Sequence, residues 1–233
     1  MYTFDDKSKG KGNRDSDLAD IAGICLNGKE GLAAATQVAQ KLADAIMTQW
    51  VYEFDYPKLL DSLAKAQPVL FLDVFLGGSN DVEEGQRRRM FFYQLKRHGN
   101  PLNQISDDEL LSWCGIDSAV RYQIVASAIA PFMQSSETGK LKWKPVIYAI
   151  LDRAVNLDAI LEHLANSIRP TSWSGSLADI LVTRTALFQE LYEHDNAKIR
   201  AWAKAQYLDL QESIRGERER EQQRHRERNE TFE

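Results

Sequence analysis

Three helix breaks at equal spacing constrain the fold of this 233-residue chain more than any other feature. Asp117, Asn156 and Asp195 each stand between two helical patterns, and they follow one another at intervals of 39 residues. An apolar residue follows each break at a similar distance: Val120, Ile160 and Ile199. Self-similarity at about 40 residues is typical of two-helix repeats, in which a helix pair covers its apolar face by stacking on the next pair.

The clearest copy of this unit lies in residues 171–211, where two amphipathic patterns are joined by a short polar break at residues 194–196. The segment LFQELYEHDNAKIRAWAKAQ resembles the HEAT-repeat pattern: a Leu-rich first helix, a turn with Asp or Asn, then an arginine and an alanine in the second helix. Arg200 and Ala203 occupy those two positions. The segment RYQIVASAIAPF matches through Arg121 and Ala126, whereas the pair at 143–168 has no such arginine.

This resemblance covers residues 105–214 and, more loosely, 55–77. It implies an all-α fold, a HEAT-like α-solenoid of stacked antiparallel helix pairs; an irregular helical bundle is the alternative. The WSGS turn, the helix pair and the Arg/Glu tail together resemble the C-terminal helical regions of large bacterial multidomain proteins, including NTPase-containing sensor or defence proteins. That resemblance implies an accessory or sensing module, because the sequence contains no NTPase motif.

Changes in composition predict three regions. Residues 1–16 are polar and predict a flexible leader, and residues 17–214 predict a helical-repeat domain. Residues 215–233 predict a solvated, partly helical Arg/Glu tail supported by i, i+4 ion pairs, with a partner-binding tail as the alternative. Within the repeat domain, residues 55–77 predict a helix pair and residues 135–142 a surface loop. The first helix is expected to turn one apolar face inward: Leu18, Ile21, Ala22 and Cys25. A further helix is expected from Ser118 to Phe132.

Composition narrows the class of protein. The net charge of −5 does not favour a general nucleic-acid binder, although a local basic patch is compatible with it. Only two cysteines, Cys25 and Cys114, are present, which argues against a disulfide framework or zinc cluster and favours a cytoplasmic protein. The longest apolar runs are too short to span a bilayer. We expect no cofactor.

Candidate chemical groups are few. Ser174 and Ser176 flank a glycine, but the spacing is not that of a nucleophile elbow, and Ser176 with Asp179 predicts a helix N-cap instead. Glu190 and His194 have the i, i+4 spacing of metal ligands without a third partner, so we predict no metal site. A group of acids around Gly77 and Gly78 is interpreted as a solvated loop: Asp73, Asp81, Glu83 and Glu84.

The segment 87–97 combines five cations with three aromatic residues. It predicts an amphipathic helix, a surface for an acidic protein partner, or a phosphate-contacting and base-stacking surface. Its candidate partner-binding residues are Arg87, Arg88, Arg89, Tyr93, Lys96 and Arg97. The sequence as a whole predicts a non-catalytic protein-interaction or scaffolding module, with nucleic-acid binding through 87–97 as the alternative. The oligomeric state is left open.

Overall fold

The computed structural model describes residues 11–48, 55–77 and 99–231. The chain divides into two compact units, Met1–Ile129 and Ala130–Glu233, called unit 1 and unit 2 below. The sequence predicts one repeat domain over 17–214, whereas the boundary between the units falls inside that range. It follows the helix pair around Asp117 and precedes the pair around Asn156.

Unit 1 is helical throughout its described residues. Its elements are α1 (Lys11–Cys25), α2 (Gly28–Met47), α3 (Pro57–Ala66), α4 (Pro68–Phe75), a 3₁₀-helix (Pro101–Gln104), α5 (Asp107–Ile116) and α6 (Arg121–Ala128). Proline opens α3, α4 and the 3₁₀-helix, where its missing N–H costs nothing. The helix pair predicted in 55–77 is thereby confirmed.

The core of unit 1 forms around α3 and α4. Helix α1 packs on α3, α2 packs on α4, and α4 packs on α5. Several side chains in α3 and α4 are completely buried: Leu60, Leu63, Phe71, Leu72 and Phe75. The rings of Phe71 and Phe75 are tilted against each other, with centroids 4.6 Å apart. At the start of α5, Ser106 and Glu109 form a capping box, which the spacing Ser-x-x-Glu predicts.

Helix α1 begins earlier than the sequence predicts. It starts at Lys11, inside the expected leader of residues 1–16, of which residues 1–10 lie outside the described part. Asp15 is buried, and its carboxylate accepts hydrogen bonds from the backbone N–H groups of Lys58 (3.1 Å) and Leu59 (3.0 Å) at the start of α3. Asp15 therefore holds α1 against α3, because its carboxylate accepts from two backbone N–H groups that have no partner within the first turn of α3.

The inward face of α1 also differs from the prediction. Ala19 and Ala22 are buried, whereas Leu18 is 41% and Ile21 57% exposed, and Cys25 is exposed. The predicted face was therefore wrong for every member except Ala22. The physical reason is the anchor at Asp15: residues 15, 19 and 22 share one side of the helix, and small side chains there allow α1 to approach α3 closely.

Unit 2 contains a hairpin and four helices in the part that the structure describes. The elements are β1 (Phe132–Gln134), β2 (Leu141–Trp143), α7 (Pro145–Arg153), α8 (Leu157–Ile168), α9 (Leu177–Gln189) and α10 (Ala197–Thr231). The strands are antiparallel, and Phe132 pairs with Trp143, Met133 with Lys142 and Gln134 with Leu141. The all-α class therefore holds for all but this small sheet.

The hairpin replaces two predicted features. The helix expected from Ser118 to Phe132 ends at Ala128, and the loop expected at 135–142 supplies β2. Pro131 explains the first difference, because proline disfavours helical backbone in the residue before it and cannot donate in a helix. At the turn, Gly139 has a φ of 66°, a left-handed conformation that glycine adopts without strain.

The core of unit 2 lies between β2, α9 and α10. Trp143 is 1% exposed, and its indole N–H donates to the Leu187 carbonyl at 2.6 Å. Phe188 packs edge-on against Trp202, with ring centroids 5.5 Å apart. Helix α10 buries Ile199 and further aliphatic residues along one stripe: Ala203, Leu210 and Ile214.

Helix α10 runs across the predicted boundary at residue 215. It continues without interruption to Thr231, so the Arg/Glu segment extends a packed helix. The buried stripe through Leu210 and Ile214 continues at helical spacing into Glu217 and Glu221, both of which are half-buried. The sequence lacks an apolar signal there because acids occupy the inward positions.

All three equally spaced breaks separate helices, between α5 and α6, α7 and α8, and α9 and α10. The two arginines of the HEAT-like pattern act alike. Arg121 Nη1 donates to the Trp113 carbonyl at 3.2 Å, and Arg200 Nη1 donates to the Asp195 carbonyl at 2.8 Å. Each guanidinium thus satisfies a carbonyl in the last turn of the preceding helix or in the break after it. A solenoid arrangement of the pairs remains a prediction.

Candidate functional site

The basic-aromatic segment predicted from the sequence lies outside the described residues. This applies to all six of its candidate side chains: Arg87, Arg88, Arg89, Tyr93, Lys96 and Arg97. It applies equally to three of the four acids around the Gly77–Gly78 loop, whereas Asp73 is described. The candidate site below is therefore built from other residues.

Asp73 belongs to a side-chain cluster in unit 1. Its Oδ1 accepts a hydrogen bond from Trp113 Nε1 at 2.7 Å and lies 3.6 Å from Arg121 Nη2. The guanidinium of Arg121 also lies 4.2 Å from the centroid of the Trp113 ring. These contacts join α4, α5 and α6. Asp73 therefore lies in α4 and not in the predicted loop, and its exposed carboxylate holds the side chains of Trp113 and Arg121.

Glu190 and His194 are not brought together. Glu190 Oε2 accepts from the Tyr148 hydroxyl at 2.9 Å and from the Trp143 backbone N–H at 3.2 Å, whereas His194 Nε2 lies 3.5 Å from Asp152. Burial raises the pKa of Tyr148, and the bond to Glu190 raises it further, so this phenol stays protonated as a donor. Among the described residues, no group of three or more His, Cys, Asp or Glu could hold a metal ion.

Cys114 offers no nucleophile. It lies in the core of unit 1, fully buried, and burial raises the pKa of its thiol to about 12. The thiolate is the reactive form of cysteine, so this side chain behaves as a small apolar residue.

The groove of interest lies in unit 2, between the loop 169–176 and helix α10. At the start of the loop, Arg169 Nη2 donates to Asp209 Oδ2 (2.9 Å) and to Ser213 Oγ (3.0 Å). At its end, Ser176 caps α9 as predicted, since its hydroxyl accepts from the Asp179 N–H at 3.1 Å. Gly175 has a φ of 80°, which lets the chain turn into that cap.

A second contact fixes the same end of the loop. The Ser176 hydroxyl donates to Glu221 Oε2 at 3.1 Å, and the Ala178 N–H points to Glu221 Oε1 at 3.5 Å. A carboxylate from α10 thus sits at the N-terminus of α9, where the helix dipole favours negative charge. Both ends of the loop are therefore tied to α10.

Trp173 stands between these two attachments, and 53% of it is exposed. It borders two adjoining clefts, of about 300 and 430 Å³, which together form what we call the Trp173 groove. The first cleft is lined by Arg169, Pro170, Trp173, Leu177, Leu181, Glu212, Ser213, Gly216, Glu217 and Arg220. The second is lined by Trp173, Gly175, Ser176, Glu221, Arg224 and His225.

Both clefts are lined by charged side chains of both signs. In the first, two arginines face two glutamates, and Arg220 pairs with Glu217. In the second, Arg224 and His225 stand beside Glu221, whose carboxylate accepts hydrogen bonds from the start of α9. In each cleft the arginines and glutamates are therefore equal in number.

Sequence reasoning did not predict this groove. The segment after Ile214 was interpreted as a solvated, partly helical tail without inward-facing residues. The spacing of Ile214, Glu217 and Glu221 could have indicated that this side of α10 faces inward, because it continues the helix's buried stripe. An acid at an inward helical position needs a donor, and the capping serine of the preceding helix supplies one.

Comparison with known proteins does not assign the chain to a family. No family model, curated protein or solved structure matches the chain. In the part of the chain that the structure describes, no helix is both long and apolar enough to cross a membrane.

Proposed function

We propose that this chain is a non-catalytic protein-interaction or scaffolding module that binds its partner at the Trp173 groove. The observation that carries the proposal is the position of Trp173, half-exposed between two adjoining clefts. Tryptophan and arginine are the residues most enriched among those that dominate binding energy, and this groove has both. The module acts in the cytoplasm, as an accessory or sensing part of a larger assembly.

The rigidity of the groove supports the same function. Arg169 and Ser176 tie the two ends of the loop to α10, so the wall that carries Trp173 is held before any partner arrives. A preorganised surface loses less conformational entropy on binding, and more of the contact energy is then available as affinity.

A pull-down from the native host tests the proposal. The bait is the full chain as wild type, as Trp173→Ala and as Val155→Ala. Val155 is the matched control, because it is an apolar residue of unit 2 that is 71% exposed in the turn between α7 and α8. We expect a discrete partner with wild type and Val155→Ala, and its loss with Trp173→Ala. Capture of the same partner by all three baits would refute the groove as the binding site.

Nucleic-acid binding through 87–97 is the second candidate, and the cluster Arg87, Arg88 and Arg89 beside aromatic residues favours it. Phosphate contacts release counterions, so such binding weakens steeply with salt. We expect a mobility shift of single-stranded RNA or DNA at low salt that disappears when the three arginines are replaced by glutamate. No shift at low salt would remove this candidate.

A further inference from the structure

We propose that unit 2 binds an extended acidic peptide as an added strand along the free edge of β2. The site is a cleft of about 380 Å³ between the hairpin and the end of α9, called the β2 groove below. It shares no lining residue with the Trp173 groove. The inference goes beyond the proposed function, because it assigns a second binding surface and the chemistry of its ligand.

The register of the hairpin leaves one backbone position in the β2 groove unpaired. The Ser135 N–H donates to the Lys140 carbonyl at 2.8 Å, so these two residues form a hydrogen-bonded pair. Such pairs alternate with non-hydrogen-bonded pairs in an antiparallel ladder, and Gln134 with Leu141 is therefore a pair of the second kind. The N–H and C=O of Leu141 consequently point away from β1. Neither has a hydrogen-bond partner among the residues that the structure describes.

The next outward-facing position of β2 already bonds to a group outside the sheet. The Trp143 N–H donates to Glu190 Oε2 at 3.2 Å, and the Tyr148 hydroxyl donates to the same oxygen at 2.9 Å. Glu190 thus closes this end of the groove, while Leu141 stays open. Unpaired N–H and C=O groups on a strand edge are the feature that strand addition uses, which favours an extended backbone as the ligand.

The charges beside Leu141 specify the side chains of the ligand. Two lysines, Lys140 and Lys142, and one glutamate, Glu190, line the groove. Both lysines are exposed, and neither forms an ion pair with a described residue. The Glu190 carboxylate, in contrast, already accepts two hydrogen bonds. The groove therefore has an excess of unpaired positive charge, which an acidic ligand complements.

Strand geometry sets the positions of the acidic residues. Alternate side chains of a strand point to the same face, so Lys140 and Lys142 share one face of the hairpin, about 6.6 Å apart. A ligand residue paired with Leu141 has one neighbour opposite each lysine. Cross-strand pairs of opposite charge stabilise paired strands. The ligand therefore carries two acidic residues separated by one residue.

The same charges argue against a second copy of the chain as the occupant. Two β2 strands that pair about a two-fold axis at Leu141 place Lys140 of each copy opposite Lys142 of the other. Like charges directly opposite each other destabilise a strand pair. The occupant is therefore an acidic segment of another protein.

The test uses a short synthetic peptide with two glutamates separated by one valine, titrated into the isotope-labelled full chain. Two N-methylated copies supply a matched pair of probes. Methylation of the central valine removes the N–H that faces Leu141, whereas methylation of a glutamate removes an N–H on the outer edge of the added strand. Fluorescence anisotropy measures affinity, and NMR follows hydrogen exchange of the Leu141 amide.

We expect the unmodified peptide to bind and to slow exchange of the Leu141 amide. Methylation of the central valine should weaken binding by about tenfold or more, because it removes a hydrogen bond and inserts a methyl group between the strands. Methylation of a glutamate should have little effect. Equal binding of the two methylated peptides would rule out strand addition, and absence of binding by the unmodified peptide would overturn the inference.

Charge reversal on the protein tests the lysines. The double variant Lys140→Glu, Lys142→Glu should weaken binding by about tenfold or more and should gain affinity for a peptide with lysines in place of glutamates. The matched control is Arg215→Glu, Arg218→Glu, which changes the net charge equally at exposed positions of α10 that do not line the groove. Equal weakening by both variants would show that only the overall charge matters and would overturn the site.

Three further outcomes assign a different site or occupant. Loss of peptide binding in Trp173→Ala would place the peptide in the Trp173 groove. A single-stranded DNA oligonucleotide that binds with the same dependence on Lys140 and Lys142, when the peptide does not, would make this a nucleic-acid site. Slow exchange of the Leu141 amide without peptide, together with a concentration-dependent dimer in sedimentation, would identify a second copy of the chain. Each of these results contradicts the peptide assignment.

Discussion

Trp113 in unit 1 and Trp173 in unit 2 put the same residue type to opposite uses. Trp113 is 1% exposed, its indole N–H is bonded to Asp73, and a guanidinium stacks on its ring. Trp173 is 53% exposed beside two clefts. In unit 1, Trp113 thus closes a core. In unit 2 Trp143 has that role, whereas Trp173 lies on a loop with half of its surface exposed.

The largest expected effect tests this contrast directly. Trp113→Ala should lower the free energy of unfolding by about 3–5 kcal/mol, because it leaves a large cavity in the core. Trp173→Ala should change it by less than about 0.5 kcal/mol, as for most surface positions. Urea denaturation of both variants measures the difference. Similar losses would show that Trp173 is a packing residue and would break the comparison.

The second effect concerns the buried anchor of α1. Asp15→Ala removes the acceptor of the Lys58 and Leu59 N–H groups, and unsatisfied buried donors cost about 1–3 kcal/mol. The matched control is Asp17→Ala, since Asp17 is exposed on the same helix. Chemical denaturation should detect a loss for the first variant and almost none for the second. Equal values would mean that α1 does not depend on this carboxylate.

The third effect compares a helix cap in each unit. Ser106→Ala and Ser176→Ala each remove an N-cap and should cost about 1 kcal/mol. Only Ser176 also donates to Glu221. Amide hydrogen exchange in residues 215–231 should therefore accelerate in Ser176→Ala and stay unchanged in Ser106→Ala. Unchanged exchange in both variants would indicate that Glu221 does not hold this part of α10.

The smallest effect is a pH dependence in unit 1. Burial raises the pKa of Asp61 above its ordinary value of 3.8, and the nearby Asp15 carboxylate raises it further. The folded protein therefore binds this proton more tightly than the unfolded chain does. Stability from this group is consequently lost as the pH rises from 3.8 through the folded pKa.

Asp61→Asn should remove that loss. The variant is expected to be more stable than wild type at neutral pH by less than about 1 kcal/mol, because solvent screens a partly exposed carboxylate. The gain should shrink as the pH falls to 3.8. Free energies of unfolding, measured across this range for both proteins, check the prediction. A stability gain that does not depend on pH would show that the gain comes from packing and not from removal of the Asp61 charge.

Local signals in the sequence were sufficient for much of the fold. Pro57 and Pro68 at helix starts, the Ser106 capping box and the Ser176 cap each act within one helical turn, and the structure contains all of them. The break at Asn156 was likewise correct, since its side chain caps α8 by accepting from the Ala159 N–H. Such features depend on neighbours in sequence, so a single chain is enough to predict them.

The features that sequence reasoning missed depend on contacts between distant residues. Asp15 is 43 residues from Lys58, and Ser176 is 45 from Glu221. No local pattern distinguishes Asp15 from a solvated acid, and for Glu221 the helical spacing after Ile214 indicates an inward position without naming its partner. The inward face of α1 and the groove both follow from such contacts, which explains why the large aliphatics of α1 were assigned to the wrong face and why the groove was not predicted.

Because α10 is continuous, the direction in which each of its later side chains points is fixed by the number of residues before it. Its first half packs in the core of unit 2, and its second half lines the Trp173 groove, with no loop between them. Each residue of an α-helix rotates the chain by about 100°. One residue inserted between Ile214 and Gly216 would therefore turn the later groove positions of α10 away from Trp173 while leaving the buried stripe up to Ile214 in place. Surface loops commonly accept insertions. Within α10 the number of residues fixes their orientation, so we expect this surface to change by substitution and not by insertion.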